Sequence, residues 1–268
     1  MSFIGYILRR LFAAIVQLVG NLLKIIFYID ASLRPRKRYT LPASAPALLR
    51  TSSSKAISRI VWLTNYTNQA TLSVYANYIF NRLMAPTFEF RFHDDDACAG
   101  FIKSRFSAEV YDCYARLQIG AAKADFWRVL TLLADGGIYM DVDAGLLWFP
   151  ELFLDTDQTE LLIRSKEGPL TNYFMASAPG NPVFKAIADR IQENIAENSI
   201  ESVFDMTGPT VVDAVARTGP TRMVPCNIIC KQGLFTNKAF QYPDDKTRYW
   251  VTAQMQTDIV KKNEQPPL

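Results

Sequence analysis

The stretch Ala121–Pro150, AAKADFWRVLTLLADGGIYMDVDAGLLWFP, constrains the fold more than any other part of the 268-residue chain. Apolar residues dominate its first half, and Ala124, Leu130 and Leu133 recur at helical spacing. Gly136 and Gly137 follow at once, and glycine just past a helix is the usual left-handed cap. Ile138, Tyr139 and Met140 then form a short β-prone run. Side chains alternate across a strand, so Tyr139 and Asp141 share one face, with Asp143 joining them if the extended geometry continues.

A buried strand that opens onto two carboxylates suits a divalent cation holding a phosphate-bearing ligand. Mn²⁺ and Mg²⁺ accept few protein carboxylates and fill their other positions with phosphate oxygens and water. The alternative is a solvated turn after the strand. Asp125 and Arg128 lie three residues apart on one face of the preceding helix. Either they pair with each other as a surface ion pair, or they reach the hydroxyls and phosphate of the same ligand.

These residues carry a resemblance. A-x-A-D-x-x-R (Ala122–Arg128) followed by G-G-I-Y-x-D-x-D (Gly136–Asp143) resembles the signature of the DXD-containing glycosyltransferases. These are the family-32 enzymes, with clostridial glucosylating toxins as distant relatives. The resemblance implies an α/β fold of GT-A type, a nucleotide-sugar-binding open sheet flanked by helices. It further implies a hexosyltransferase that uses a UDP- or GDP-sugar donor and acts with retention. Asp141 and Asp143 would hold Mn²⁺ or Mg²⁺. Arg128 would bind the diphosphate or sugar, Asp125 would hold sugar hydroxyls, and Tyr139 would lie beside the ribose or sugar. A catalytically degenerate, membrane-anchored nucleotide-sugar-binding protein is the alternative.

The composition, 49% hydrophobic and 21% charged, is that of a folded protein. Charge is uneven: residues 1–40 carry a net +6, leaving −3 on the remainder, and a nucleic-acid role has no support there. Phe3–Ile29 is strongly apolar, but its uncharged core, Leu11–Leu23, has only thirteen residues. That is short of the roughly 20 a bilayer span needs. Arg10, Gln17, Asn21 and Lys24 form a polar stripe, and the basic cluster Arg34–Arg38 follows. This pattern predicts a helix lying in the membrane interface and drawn to anionic headgroups. A tilted span, a signal peptide and a helix packed on the domain are the alternatives, and the lack of a nearby small-x-small site disfavours the signal peptide.

The expected organisation is a membrane-attachment segment (1–40), a Pro- and Ser-marked linker (41–56), a catalytic domain (57–255) and a tail (256–268). The acceptor would be a membrane-associated saccharide or glycolipid, and the expected location is the cytoplasmic face of the inner or plasma membrane. Four cysteines without a metal-site spacing read as free thiols of a reducing compartment. His93 is the only histidine, which sets aside a histidine-based metal site or a serine–histidine–aspartate triad.

Ile57–Leu63 reads as the first strand, Ala70–Leu83 as a helix, Phe88–His93 as a strand, and Asp94–Asp96 as a helix N-terminus. Val110–Ile119 reads as a helix, Glu160–Ile163 as a strand, and Asn181-Pro182 as the start of a helix reaching Ala196. The Asn65-Tyr66-Thr67 triplet is a glycosylation sequon only in a secretory compartment. By resemblance, Trp62 at the end of the first strand would stack on the donor base, and Asn172 would border the sugar pocket. Thr207-Gly208-Pro209 resembles the T-G-P element of these enzymes and reads as turn chemistry. Many relatives complete the metal and phosphate site with a C-terminal histidine and tryptophan. Here the histidine is missing, while Tyr249 and Trp250 retain the aromatic part.

Overall fold

The computed structural model describes residues 3–165, 168–245, 247 and 249–261. The chain opens with α1 (Phe3–Leu33), β1 (Tyr39–Thr40), β2 (Ser44–Ala45), β3 (Ile60–Thr64), β4 (Gln69–Ala70) and α2 (Leu72–Met84). Next come β5 (Glu89–His93), α3 (Asp95–Arg105), α4 (Ala108–Arg116), α5 (Gly120–Asp135), β6 (Gly137–Met140) and β7 (Ala144–Leu146). Then follow α6 (Pro150–Phe153), β8 (Glu160–Arg164), β9 (Leu170–Ser177), α7 (Pro182–Glu197), α8 (Val203–Met206) and α9 (Pro209–Ala216). β10 (Met223–Pro225), β11 (Cys230–Gln232), α10 (Lys238–Gln241) and α11 (Trp250–Gln256) end the described chain. Of the tail expected over residues 256–268, Ile259 and Val260 are buried and Val260 bridges Leu117, while the part beyond Lys261 lies outside the described residues.

Seven strands make one open sheet, in the order β10-β8-β9-β6-β3-β5-β2. β3 runs parallel to β5 and β6, while β9 returns antiparallel to β6. The α/β class expected from alternating helices and strands is therefore the observed one. Alternation along β6 sends Tyr139 into the core under α5 and α7, and Ile138 and Met140 into the opposite core with α2.

The double glycine is a steric requirement. Gly136 caps α5 at φ 66°, and a Cβ there would meet Pro179 Cδ at 2.7 Å. Gly137 has φ 107°, and its Cβ would meet the Ile60 carbonyl oxygen of β3 at 2.5 Å. Only glycine lets the chain reverse here and enter the sheet beside β3.

Two expectations need correction. The segment expected as a linker contributes the edge strand β2, antiparallel to β5, and buries Leu41 and Ala45, because an open sheet edge offers unpaired backbone groups. The helix expected over Val110–Ile119 runs from Ala108 to Arg116, and α3, starting at the expected N-terminus, precedes it. Asp94 caps α3 by accepting from Ala97 N, as three consecutive acids at a helix start suggest.

α1 packs along the domain on one side. Ala13, Val16 and Phe27 are buried against Leu147, Leu234, Phe235 and Phe240. Gly20 brings α1 close to the segment after β11; a Cβ there would lie 2.5 Å from the Leu234 carbonyl oxygen. The opposite side is apolar and open, with Leu11, Ile15, Leu18 and Leu22 each more than half exposed. Arg10 and Asn21 of the expected polar stripe are exposed, while Gln17 and Lys24 are half-buried at the packed side.

Candidate active site

The chain turns sharply between β6 and β7, and this turn carries the acidic pair. The Ala144 N–H donates to the Asp141 carbonyl oxygen at 2.9 Å, so the extended geometry ends before Asp143. The carboxylates still converge. Gln232 Nε2 lies 3.2 Å from both Asp141 Oδ2 and Asp143 Oδ1.

Two buried asparagines of α2 fix the turn from behind. Asn77 Nδ2 donates to the carbonyl oxygens of Val142 and Ala144, each at 2.9 Å. Asn81 Nδ2 donates to the Ala144 oxygen at 2.8 Å, and Asn81 Oδ1 accepts from Leu146 N at 2.9 Å. From the front, β11 pairs antiparallel with β7, and Gly233 N–H donates to the Asp143 carbonyl oxygen at 2.9 Å.

α5 brings Asp125 and Arg128 to the same place. Both are buried, which rules out the reading of a surface ion pair. Arg128 Nη2 lies 3.1 Å from Asp125 Oδ1 and 3.4 Å from Asp141 Oδ1, and its Nη1 donates to the Asn172 carbonyl oxygen at 2.6 Å. Its guanidinium sits 4.3 Å from the centre of the Tyr139 ring, and the Tyr139 hydroxyl donates to Asp141 Oδ1 at 2.8 Å. Asp125 accepts from Asn172 Nδ2 at 2.8 Å and from the Thr207 hydroxyl at 3.1 Å. Thr207 therefore does more than make a turn. It helps to hold a buried carboxylate.

Among the described residues, this cluster sets three carboxylates against the single guanidinium of Arg128. Burial pushes the Asp143 carboxyl up to about 7, and the neighbouring Asp141 adds to the effect. Burial likewise raises Asp125 to about 6, against the pull of Arg128. Asp141 is also raised by burial, opposed by Arg128 and by the Tyr139 hydroxyl. Burial works against the charge on Arg128, but Tyr139, Asp141 and Asp125 outweigh it and its pKa rises. Excess negative charge in a poorly solvated site is what a divalent cation would relieve, and oxygen donors suit Mn²⁺ or Mg²⁺. The residues present therefore fit such an ion. Among the described residues no three His, Cys, Asp or Glu side chains group into a metal site.

The cluster lines a cavity of about 780 Å³, within the range of small-molecule sites. Asp125, Arg128, Tyr139, Asp141, Asp143, Asn172 and Trp250 all line it. Trp62 does not. It is 1% exposed in the core, its indole N–H donates to the Gly136 carbonyl oxygen at 2.8 Å, and it packs beside Trp127 and His93. The strand register turns it away from the cavity, so the expected base-stacking role does not follow from its placement. The aromatic residue at the mouth of β3 is Tyr66, stacked on Tyr242 with ring centroids 6.1 Å apart.

Sequence reasoning missed Gln232, Gln241, Tyr242, Tyr66, Asn77 and Asn81. Their relation to the acids is set by long-range pairing, and no local spacing signals it. The buried polar faces of α2 are the one cue, since asparagine at positions 77 and 81 falls on its apolar side.

Residues 55–160 match the model of the glycosyltransferase sugar-binding region containing the DXD motif. The chain is 27% identical over 169 residues to the initiation-specific alpha-1,6-mannosyltransferase of Schizosaccharomyces pombe, a match covering 51% of this chain and 42% of that protein. It is 29% identical over 159 residues to an uncharacterized glycosyltransferase of Acanthamoeba polyphaga mimivirus, covering 53% of this chain and 61% of the relative. The chain thus spans less than two thirds of either relative. The solved PaToxG glycosyltransferase superposes with a TM-score of 0.50 at 14% identity, covering 77% of this chain and 79% of that one, and shares the fold. The DXD turn, the fold and the matched region agree in one likeness, to the glycosyltransferases whose sugar-binding region contains the DXD motif.

Proposed function

We propose that the chain transfers a hexose from a nucleotide sugar to a membrane-associated saccharide or glycolipid, with a divalent cation at Asp141 and Asp143. One observation carries this reading: three carboxylates and one guanidinium converge in a cavity of nucleotide-sugar size. When bound, Mn²⁺ or Mg²⁺ would supply Lewis-acid stabilisation of the departing diphosphate. Arg128 neutralises part of the carboxylate charge and holds Asp125 and Asp141 in place. Asp125 and Asn172 present oxygen and nitrogen atoms to the sugar hydroxyls and orient the anomeric carbon. Tyr66 and Tyr242, in place of Trp62, offer rings to the base. The likeness to a mannosyltransferase favours nucleotide-linked mannose as the first donor to try.

Asp125 is committed to Arg128, Asn172 and Thr207, so it is not free to act as a nucleophile. We infer transfer with retention, on the sugar face that the phosphate leaves. Rapid-quench trapping of a covalent sugar adduct would contradict this.

α1 offers its apolar outer side to the membrane interface, while its inner side stays docked on the domain. A helix held along its length in this way lies on a bilayer and does not cross it. We place the enzyme on the cytoplasmic face, in keeping with its four free thiols.

Thermal shift with GDP- and UDP-hexoses plus Mn²⁺ is the test, since a bound donor stabilises the fold by mass action. Asp143→Ala is expected to lower turnover by about a thousandfold. Near-normal transfer by this variant in EDTA would defeat the metal assignment. Donor binding without turnover in the wild type would favour the degenerate, nucleotide-sugar-binding alternative.

A further inference from the structure

The acids of the DXD turn supply two ligands, and the one histidine of the sequence, His93, packs against Trp62 and does not line the cavity. We propose that Gln232 fills the gap, its side-chain carbonyl serving as a third protein ligand to the divalent cation. This rests on the metal-dependent reading above. The residue is placed for it: its amide nitrogen is equidistant, at 3.2 Å, from one oxygen of Asp141 and one of Asp143. Without a cation, two carboxylates draw the NH₂ end of the amide toward them. A half-turn about the terminal torsion presents Oε1 at the same point, and an amide oxygen is an accepted donor for hard cations.

The placement is built into the backbone. Gln232 is in register with Ala144 across the β11–β7 pair, and the next residue, Gly233, bonds the backbone of Asp143. Gly233 has φ 71°, a left-handed turn that ends the strand just past Gln232. α1 braces both flanks of the segment: Gln17 accepts from Lys231 Nζ at 2.6 Å, and Gly20 closes on the Leu234 carbonyl. Gln241, at the end of α10, also hydrogen-bonds the Asp143 side chain, so the ion would be ringed by acids and amides. Such a ring favours Mg²⁺ and Mn²⁺ over metals that need nitrogen or sulfur.

The experiment is Mn²⁺ binding to the full chain, read by electron paramagnetic resonance of the free ion, without donor. Gln232→Met keeps the length of the side chain but removes the oxygen, and should weaken Mn²⁺ by about tenfold or more. Gln232→Glu adds a third carboxylate and should bind at least as tightly as the wild type. Melting temperatures in EDTA establish that both variants fold. If Gln232→Met binds Mn²⁺ as tightly as the wild type, or more tightly, Gln232 is only a plug that the ion displaces and the proposal falls. Asp143→Ala separates the two levels. A wild type that binds no Mn²⁺, like Asp143→Ala, removes the metal reading itself. A wild type and Gln232→Met that bind equally, with Asp143→Ala that does not, removes only the role of Gln232.

Discussion

At the end of β6, Asp125, Arg128 and Asp143 are at most 7% exposed, whereas along α1 Ile15 and Leu18 are 61% exposed. Folding ordinarily does the reverse with charged and apolar side chains. The two regions resolve the anomaly differently. The charges are partnered within the chain, through Asn172, Thr207 and Tyr139, but their sum is left negative. The apolar face of α1 has its satisfied side against the domain and its other side toward solvent. The cation proposed above would complete the first of these. The membrane surface proposed above would cover the second, a face open along a helix of 31 residues.

The sharpest way to break this comparison is to remove the one cation of the cluster. Arg128→Met leaves three buried carboxylates unopposed, and removing one partner from a buried ion pair costs about 3–5 kcal/mol. Chemical denaturation in EDTA at pH 8 should show a loss of that size, and saturating Mn²⁺ should return part of it. A loss under about 1 kcal/mol would mean that water already screens the cluster, as at an exposed pair.

α1 sharpens the comparison from the other side. Leu18→Glu with Leu22→Glu puts charge on the open face, where both residues are more than half exposed. Binding to vesicles containing anionic lipid should fall by at least about tenfold, from the lost burial of two large side chains. The melting temperature in detergent-free buffer should hardly change, since neither side chain packs on the domain. A large fall in melting temperature with unchanged vesicle binding would make the face structural.

How much of this was legible in the sequence follows from what is local and what is not. The helix, the glycine stop and the acid-bearing strand lie within thirty residues, and their periodicity and caps declare themselves. Asp125 and Arg128 could be singled out because charges interrupt an apolar helix. The bonds of Gln232 and Thr207 to these acids could not be read, since each reaches the site over more than 80 residues of chain. Trp62 is suggested by the resemblance alone; the fold places it in the core, because in a strand the register decides which face a ring occupies. β10 and β11 have three residues each, too few for any period to show. The linker reading failed because prolines and serines suit an edge strand as well as a loop.

The finest distinction between the two regions is pH. Asp143 has an ordinary value of 3.8 in the unfolded chain and about 7 in the fold, raised chiefly by burial. From about pH 4 to about pH 7 the native state therefore holds a proton that the unfolded state has released. Stability from this group is fully present below the lower value, is lost as pH rises through the window, and is constant above it. Asparagine at this position mimics the protonated form at every pH, so Asp143→Asn lacks this dependence. In EDTA, the melting temperature of the wild type should fall relative to Asp143→Asn between pH 5 and pH 7.5, by a few degrees. Mn²⁺ takes the deprotonated carboxylate, so it should erase the fall in the wild type and do nothing for the variant. Leu18→Glu with Leu22→Glu, far from the acids and titrating in water, should follow the wild type throughout. A parallel course for wild type and Asp143→Asn without metal would mean that the acids are solvated, and the site would then resemble the surface it was contrasted with.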